Sequence, residues 1–79
     1  MTADEKAKLV RKLCEQPKPP VGSLCVLAPW CDGAGRLVHV TQHFPWARRE
    51  VEIQFLDEEG IHKPPQRCMV GNLEVLSDS

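Results

Sequence analysis

Glu50–Leu56 carries the sequence EVEIQFL, and this stretch decides the fold. Its apolar residues, Val51, Ile53 and Phe55, alternate with polar ones. Successive side chains of a β-strand point to opposite faces of a sheet, so this alternation is typical of a strand with one buried face. The stretch therefore predicts a central strand whose apolar side faces a core.

Four further apolar runs surround this strand, at residues 23–28, 36–42, 66–70 and 73–76. Turn signals separate the runs: Pro29, the Asp32-Gly33 dipeptide, the polar Asp57–Gly60 segment and Gly71-Asn72. Residues 61–65 are predicted to continue the loop that follows the third strand, and residues 77–79 are predicted to be a frayed end. The pattern predicts a mainly β domain of five short strands.

Residues 2–16 are predicted to form a helix that precedes the strands. Thr2 and Glu5 match a capping box, in which each side chain satisfies a backbone amide of the other residue. Pro17 ends the helix, and residues 17–22 form a stiff, proline-rich connector. The apolar positions Ala3, Ala7, Val10 and Cys14 recur at helical spacing, with Leu9 and Leu13 beside them. The helix is expected to cover the outer face of the first strand, or alternatively to bind a partner or a second copy.

This order of parts resembles an SH3-like barrel. The corresponding pieces are Gly22 before the first strand, the long central pair at residues 37–41 and 51–55, and the Gly71-Asn72 turn. The ending Leu73–Leu76 is similar to the endings of barrel subunits of photosynthetic electron-transfer complexes and of plasmid-borne dihydrofolate reductases. The length predicts a single domain over residues 1–79. The resemblance implies that the N-terminal α-helix is followed by a five-stranded SH3-like barrel at 23–76, although the helix itself is a departure from the electron-transfer subunits. The resemblance carries no catalytic residues over to this chain.

Composition narrows the functional classes. The chain has 79 residues and a net charge of −1; residues 1–20 hold five Lys/Arg against three Asp/Glu, and residues 21–79 hold five against eight. Nucleic-acid modules usually show a basic excess, and no run approaches the length of a membrane span. The absence of an apolar signal segment predicts a cytoplasmic protein that does not bind membranes and whose four cysteines are reduced.

Metal and catalytic sites find little support in the sequence. Cys25, Cys68 and His39 are able to meet across strands, but the closely spaced ligand pairs of structural zinc sites are missing. Cys31 beside Asp32 is the best candidate nucleophile, although no recognisable signature surrounds it. We therefore expect neither a cofactor nor a metal, and a non-catalytic protein.

The aromatic residues of two predicted loops, at residues 30–35 and 43–49, are the best candidate site, together with the two arginines that follow Trp46. Small barrels commonly bind peptides through aromatic grooves between loops, and tryptophan and arginine are enriched at binding hot spots. The predicted binding surface consists of Trp30, Phe44, Trp46, Arg48 and Arg49. One or both tryptophans closing the thin core is the structural alternative.

The predicted function is a protein-interaction or regulatory module with a protein partner, and self-association through the helix or a sheet edge is an alternative mode of interaction. A nucleic-acid-binding barrel using Arg36, Arg48, Arg49 and Arg67 with the tryptophans is the alternative. A second alternative is a subunit of a shared-site enzyme or of an electron-transfer complex.

Overall fold

The structure is a computed structural model, and it describes residues 2–60 and 62–77. Ile61, which belongs to the predicted loop after the third strand, lies outside the described residues. So do Asp78 and Ser79 of the predicted frayed end. The described elements, in chain order, are α1 (Ala3–Glu15), β1 (Leu24–Leu27), β2 (Leu37–His43), β3 (Glu50–Phe55), β4 (Gln66–Met69), a 3-10 turn (Val70–Asn72) and β5 (Leu73–Ser77). The predicted N-terminal helix and the five strands are confirmed.

The described strands form one antiparallel sheet in the order β4-β3-β2-β1-β5. The central pair is β2 with β3, in which Val38 lies opposite Phe55 and Val40 opposite Ile53. Within the described residues no ladder joins β4 to β5, so both are edge strands and the sheet is open. The mainly β class is thus correct, whereas a closed SH3-like barrel is not confirmed.

The core lies on one face of this sheet. The alternation in β3 predicts its buried residues correctly, since Val51, Ile53 and Phe55 are all buried while the residues between them are half-buried. The same face collects the buried residues of the other strands and of the 3-10 turn, namely Cys25, Leu27, Val38, Val40, Val70 and Leu73. Burial of this shared apolar face is what stabilises so short a chain.

The helix packs at one end of the sheet, and its main contact is with the 3-10 turn. Thr2 caps it by accepting a hydrogen bond from the Glu5 amide at 3.2 Å, which is one of the two bonds that the capping box predicts. Leu13 is its buried side chain. The helix was expected to cover the outer face of β1, but it lies against the turn between β4 and β5 instead. The other apolar residues of α1 therefore remain exposed or half-buried.

Candidate functional site

A groove runs between the helix and the segment that joins β4 to β5; we call it the α1 groove. One wall consists of Lys6, Val10 and Cys14, which follow one another at four-residue spacing and so lie along one side of α1. The rest of the lining is Trp30, Arg49, Met69, Gly71 and Asn72. The groove has a volume of about 550 Å³. Pockets of this size and mixed lining are typical of binding sites.

Trp30 is fixed in the groove by the 3-10 turn. Its indole Nε1 donates a hydrogen bond to the Oδ1 of Asn72 at 3.0 Å. The backbone oxygen of Asn72 in turn accepts a hydrogen bond from the Ala28 amide at 2.9 Å. Because both ends of Asn72 are engaged, the ring of Trp30 is held beside the helix and remains only partly buried.

Arg49 holds the helix end against the sheet. Its guanidinium donates hydrogen bonds to the backbone oxygens of Leu13 at 3.3 Å, Cys14 at 2.7 Å and Gln16 at 2.7 Å. A cation at the C-terminus of a helix also interacts favourably with the helix dipole. The backbone oxygen of Arg49 accepts a hydrogen bond from the Val70 amide at 2.7 Å, so one residue joins the helix to the 3-10 turn.

Gln16 also links the C-terminal end of α1 to the sheet. Its side-chain amide donates to the backbone oxygens of Val70 at 3.0 Å and Leu73 at 2.6 Å. These bonds link the end of α1 to residues more than 50 positions away in the chain. The groove is therefore bounded by elements that are hydrogen-bonded to one another, which keeps its walls in place before a ligand arrives.

Apolar surface is exposed on both sides of the groove. The side chain of Met69 is 48 % exposed, Cys14 is exposed and Val10 is half-buried. A second concavity of about 560 Å³ follows the outer side of the helix and shares Lys6, Val10 and Cys14 with the groove; its remaining lining is Ala3, Ala7, Arg11 and Glu15. The helix thus presents a continuous apolar strip, which consists of Ala3, Ala7, Val10 and Cys14 and is bordered by charged residues.

Three of the five predicted binding residues lie outside the α1 groove, in the Trp46 loop (residues 44–48). Phe44 is buried at 7 % exposure and supports Trp46, whose ring centroid is 5.4 Å away at an interplanar angle of 36°. Trp46 is 73 % exposed and Arg48 is also exposed. The structure therefore brings Trp30 and Arg49 together in the groove, while Phe44, Trp46 and Arg48 do not line it.

The arginines of the nucleic-acid alternative mostly have partners within the chain. Arg36 forms a two-bond ion pair with Asp57, at 2.6 and 2.9 Å, and this hydrogen bonding together with the Gly60 amide lowers the pKa of Asp57 to about 2. Arg67 binds Glu50 at 2.6 Å, and Arg49 caps the helix. Three of the four arginines are thus engaged, which weakens the case for phosphate contacts.

A smaller pocket of about 390 Å³ lies at the open side of the sheet, where Cys31 and Cys68 share its lining with Arg36, Lys63 and Arg67. Burial raises the pKa of the Cys68 thiol to about 11, with smaller contributions from Cys31 and Cys25, so this thiol is protonated at neutral pH. The four cysteines form no disulfide, and residues 2–60 and 62–77 contain no group of three or more His, Cys, Asp or Glu side chains that could hold a metal ion.

Cys31 was the candidate nucleophile, and its Sγ lies 4.0 Å from the backbone oxygen of Asn72. In the described part of the chain, no hydrogen bond joins this thiol to an imidazole or a carboxylate. A base positioned to activate it is therefore not found there.

Comparison of the chain with protein-family models, curated proteins and solved structures gives no match. Among the described residues, no helix is long and apolar enough to cross a membrane. The sequence did not identify Met69 and Asn72 as site residues, since both act through contacts made only after folding, and Asn72 was predicted only as part of a turn. The apolar positions Val10 and Cys14 were visible in the helical spacing.

Proposed function

We propose that this protein is a non-catalytic protein-interaction module that binds an apolar protein segment in the α1 groove. The observation that carries the proposal is the α1 groove itself. Its walls combine Val10, Cys14, Trp30 and Met69, and hydrogen bonds from Arg49 and Gln16 fix these walls relative to one another. A preformed apolar groove with a tryptophan at its side is the arrangement that amphipathic segments bind.

We further propose that the sheet is of the SH3-like type, in a partly open form. The observed order of parts supports this. A first strand after Gly22 lies between the second and the last strand, β2 and β3 form the central pair, and a tight 3-10 turn precedes a short last strand. Fold type alone does not specify a ligand, so the groove residues carry the functional argument.

The charges beside the groove indicate the kind of segment it binds. The described ion pairs engage Arg36, Lys63 and Arg67, and none of them engages Lys6 or Arg11, which border the apolar strip. A segment that carries carboxylates next to its apolar side chains would complement this border. Charge matching of this type governs partner choice and association rate more than affinity.

The proposal is tested by photo-crosslinking inside cells. A benzoylphenylalanine placed at position 10 lies in the groove, whereas the same group at position 48 lies outside it. We expect a discrete crosslinked product from position 10 that maps to one apolar segment and is lost when Met69→Lys is added. Products of equal yield from positions 10 and 48, or a product from position 10 that survives Met69→Lys, would contradict the proposal.

A further inference from the structure

The apolar strip of α1 has the spacing of a helix that packs along another helix. Ala3, Ala7, Val10 and Cys14 are separated by four, three and four residues, which is the alternation found in coiled-coil seams. Leu13, not this strip, is the residue through which the helix is buried in its own domain. The strip is continuous with Trp30 and Met69 through the α1 groove, so a docked helix would contact all three elements.

Charged residues beside the strip determine which helix fits. Asp4 and Arg11 lie on one flank of the strip and Lys6 lies on the other, at the positions that face a partner helix in a coiled coil. All three are exposed, and none takes part in an ion pair within the described residues. These side chains are therefore available to a partner.

A second copy of the same helix complements these charges in one orientation. When two α1 helices pack antiparallel, Ala3 lies near Cys14 of the second copy, and each Asp4 lies on the same flank as Arg11 of the other copy. The two-fold symmetry produces this favourable pair twice. A parallel pair would instead bring each Lys6 toward Arg11 of the other copy, which is repulsive. Antiparallel helix dipoles add to the preference.

We propose that the occupant of the α1 groove is the α1 helix of a second copy of this chain, packed antiparallel across a two-fold axis. The inference rests on the proposed function and names the partner at the same site. In the dimer, Trp30 and Met69 of each copy flank the helix of the other. The side chains of the strip are short, so we expect the contact to be smaller than a standard interface and the dimer to form and dissociate readily.

The first test is sedimentation equilibrium of the whole chain with charge variants. We expect the apparent mass to rise with concentration from 8.9 kDa toward twice that value. Arg11→Asp removes two favourable pairs and is expected to weaken dimerisation roughly tenfold, and the double variant Asp4→Arg/Arg11→Asp to restore most of the affinity. In a parallel dimer Arg11→Asp would strengthen association instead, because it would face Lys6.

Lys12→Glu is the matched control, because Lys12 lies on the helix away from the strip and is exposed. It changes the net charge by the same amount as Arg11→Asp and is expected to leave the mass distribution unchanged. Circular dichroism of each variant verifies that the helix is retained. Equal weakening by Lys12→Glu and Arg11→Asp would overturn the proposed pairing, since it would show a response to net charge only.

A second test fixes the orientation with cysteine pairs. Under a copper–phenanthroline oxidant, Ala3→Cys should form an intermolecular disulfide with Cys14 of the other copy, and adding Cys14→Ser should abolish that bond. A disulfide between the two Cys14 residues of the natural chain would show a parallel pair and overturn the inference. A chain that stays monomeric also overturns it. If that monomer still gives the position-10 crosslink to another protein, the proposed function stands; if it gives none, both fail.

Discussion

The two tryptophans of this chain lie in turns, yet the surroundings of their rings differ. Trp30 is partly buried, and its indole N–H is hydrogen-bonded to Asn72 in the wall of the α1 groove. Trp46 is 73 % exposed and contacts the buried ring of Phe44. Trp46, the more exposed of the two, has a described ring contact but no described side-chain hydrogen bond, whereas the Trp30 side chain has one.

Arg48 and Arg49 also differ in how firmly their side chains are held. Arg49 donates to three carbonyls at the end of α1, while Arg48 is exposed and makes no described hydrogen bond or ion pair. A binding surface gains affinity when its side chains are held in place before the partner arrives. Exposure alone is therefore a poor guide to the site, and the groove around Trp30 is favoured over the Trp46 loop.

The largest expected effect separates the two arginines. Arg49→Ala removes three charge-assisted hydrogen bonds and leaves the last carbonyls of α1 without that partner, so it should lower the free energy of unfolding by about 3 kcal/mol. Arg48→Ala should change it by less than about 0.5 kcal/mol. Urea unfolding followed by circular dichroism measures both.

The Arg49→Ala variant should also lose helical signal before the sheet unfolds, because Arg49 and Gln16 join the end of α1 to the sheet. Arg49→Lys is the informative companion, since it keeps the charge but loses the forked donor geometry. It should recover only part of the stability. If Arg48→Ala and Arg49→Ala proved equally costly, the distinction between the two regions would fail.

A smaller difference is expected between the tryptophans. Trp30→Phe leaves an apolar ring in the groove but removes the donor to Asn72, and it should cost about 1 kcal/mol in the free energy of unfolding. Trp46→Phe should cost less than about 0.5 kcal/mol, because most of that side chain is already in water. Chemical denaturation, followed by far-ultraviolet circular dichroism so that the lost indole does not matter, gives both values. A larger cost at position 46 would show that the Trp46 loop is the better ordered region.

Much of the fold was predictable because its signals are local. The capping residues Thr2 and Glu5 mark the start of α1, and the alternation around Ile53 identifies both the strand and its buried face. The closure of the sheet was not predictable in this way. It depends on whether β4 and β5 meet, and no local pattern in either strand encodes that distance.

The candidate site was predicted only in part for the same reason. Helical spacing marks the apolar positions of α1, but it does not say whether Leu13 or the strip through Val10 becomes buried. The contacts that hold the helix end form only after folding, since the hydrogen-bond partners of Arg49 and Gln16 lie 33 to 57 positions away in the chain. Neighbouring arginines with identical chemistry likewise acquire different roles only when the start of β3 sets their directions.

A further expected effect, no larger than that of Trp30→Phe, concerns the support of the Trp46 loop. The Arg67 guanidinium lies 5.1 Å from the centroid of the Phe44 ring and pairs with Glu50, but its side chain is 60 % exposed. Exposed ion pairs and cation–π contacts are each worth at most about 1 kcal/mol, and salt screens the former. Arg67→Ala should therefore lower the free energy of unfolding by about 0.5–1 kcal/mol at low salt and by less in 1 M NaCl. Lys63→Ala, which breaks another exposed pair remote from Phe44, is the control for general charge effects. A loss from Arg67→Ala as large as that from Arg49→Ala would mean that the Trp46 loop is fixed as firmly as the groove, and Trp46 would then be the better candidate for the partner contact.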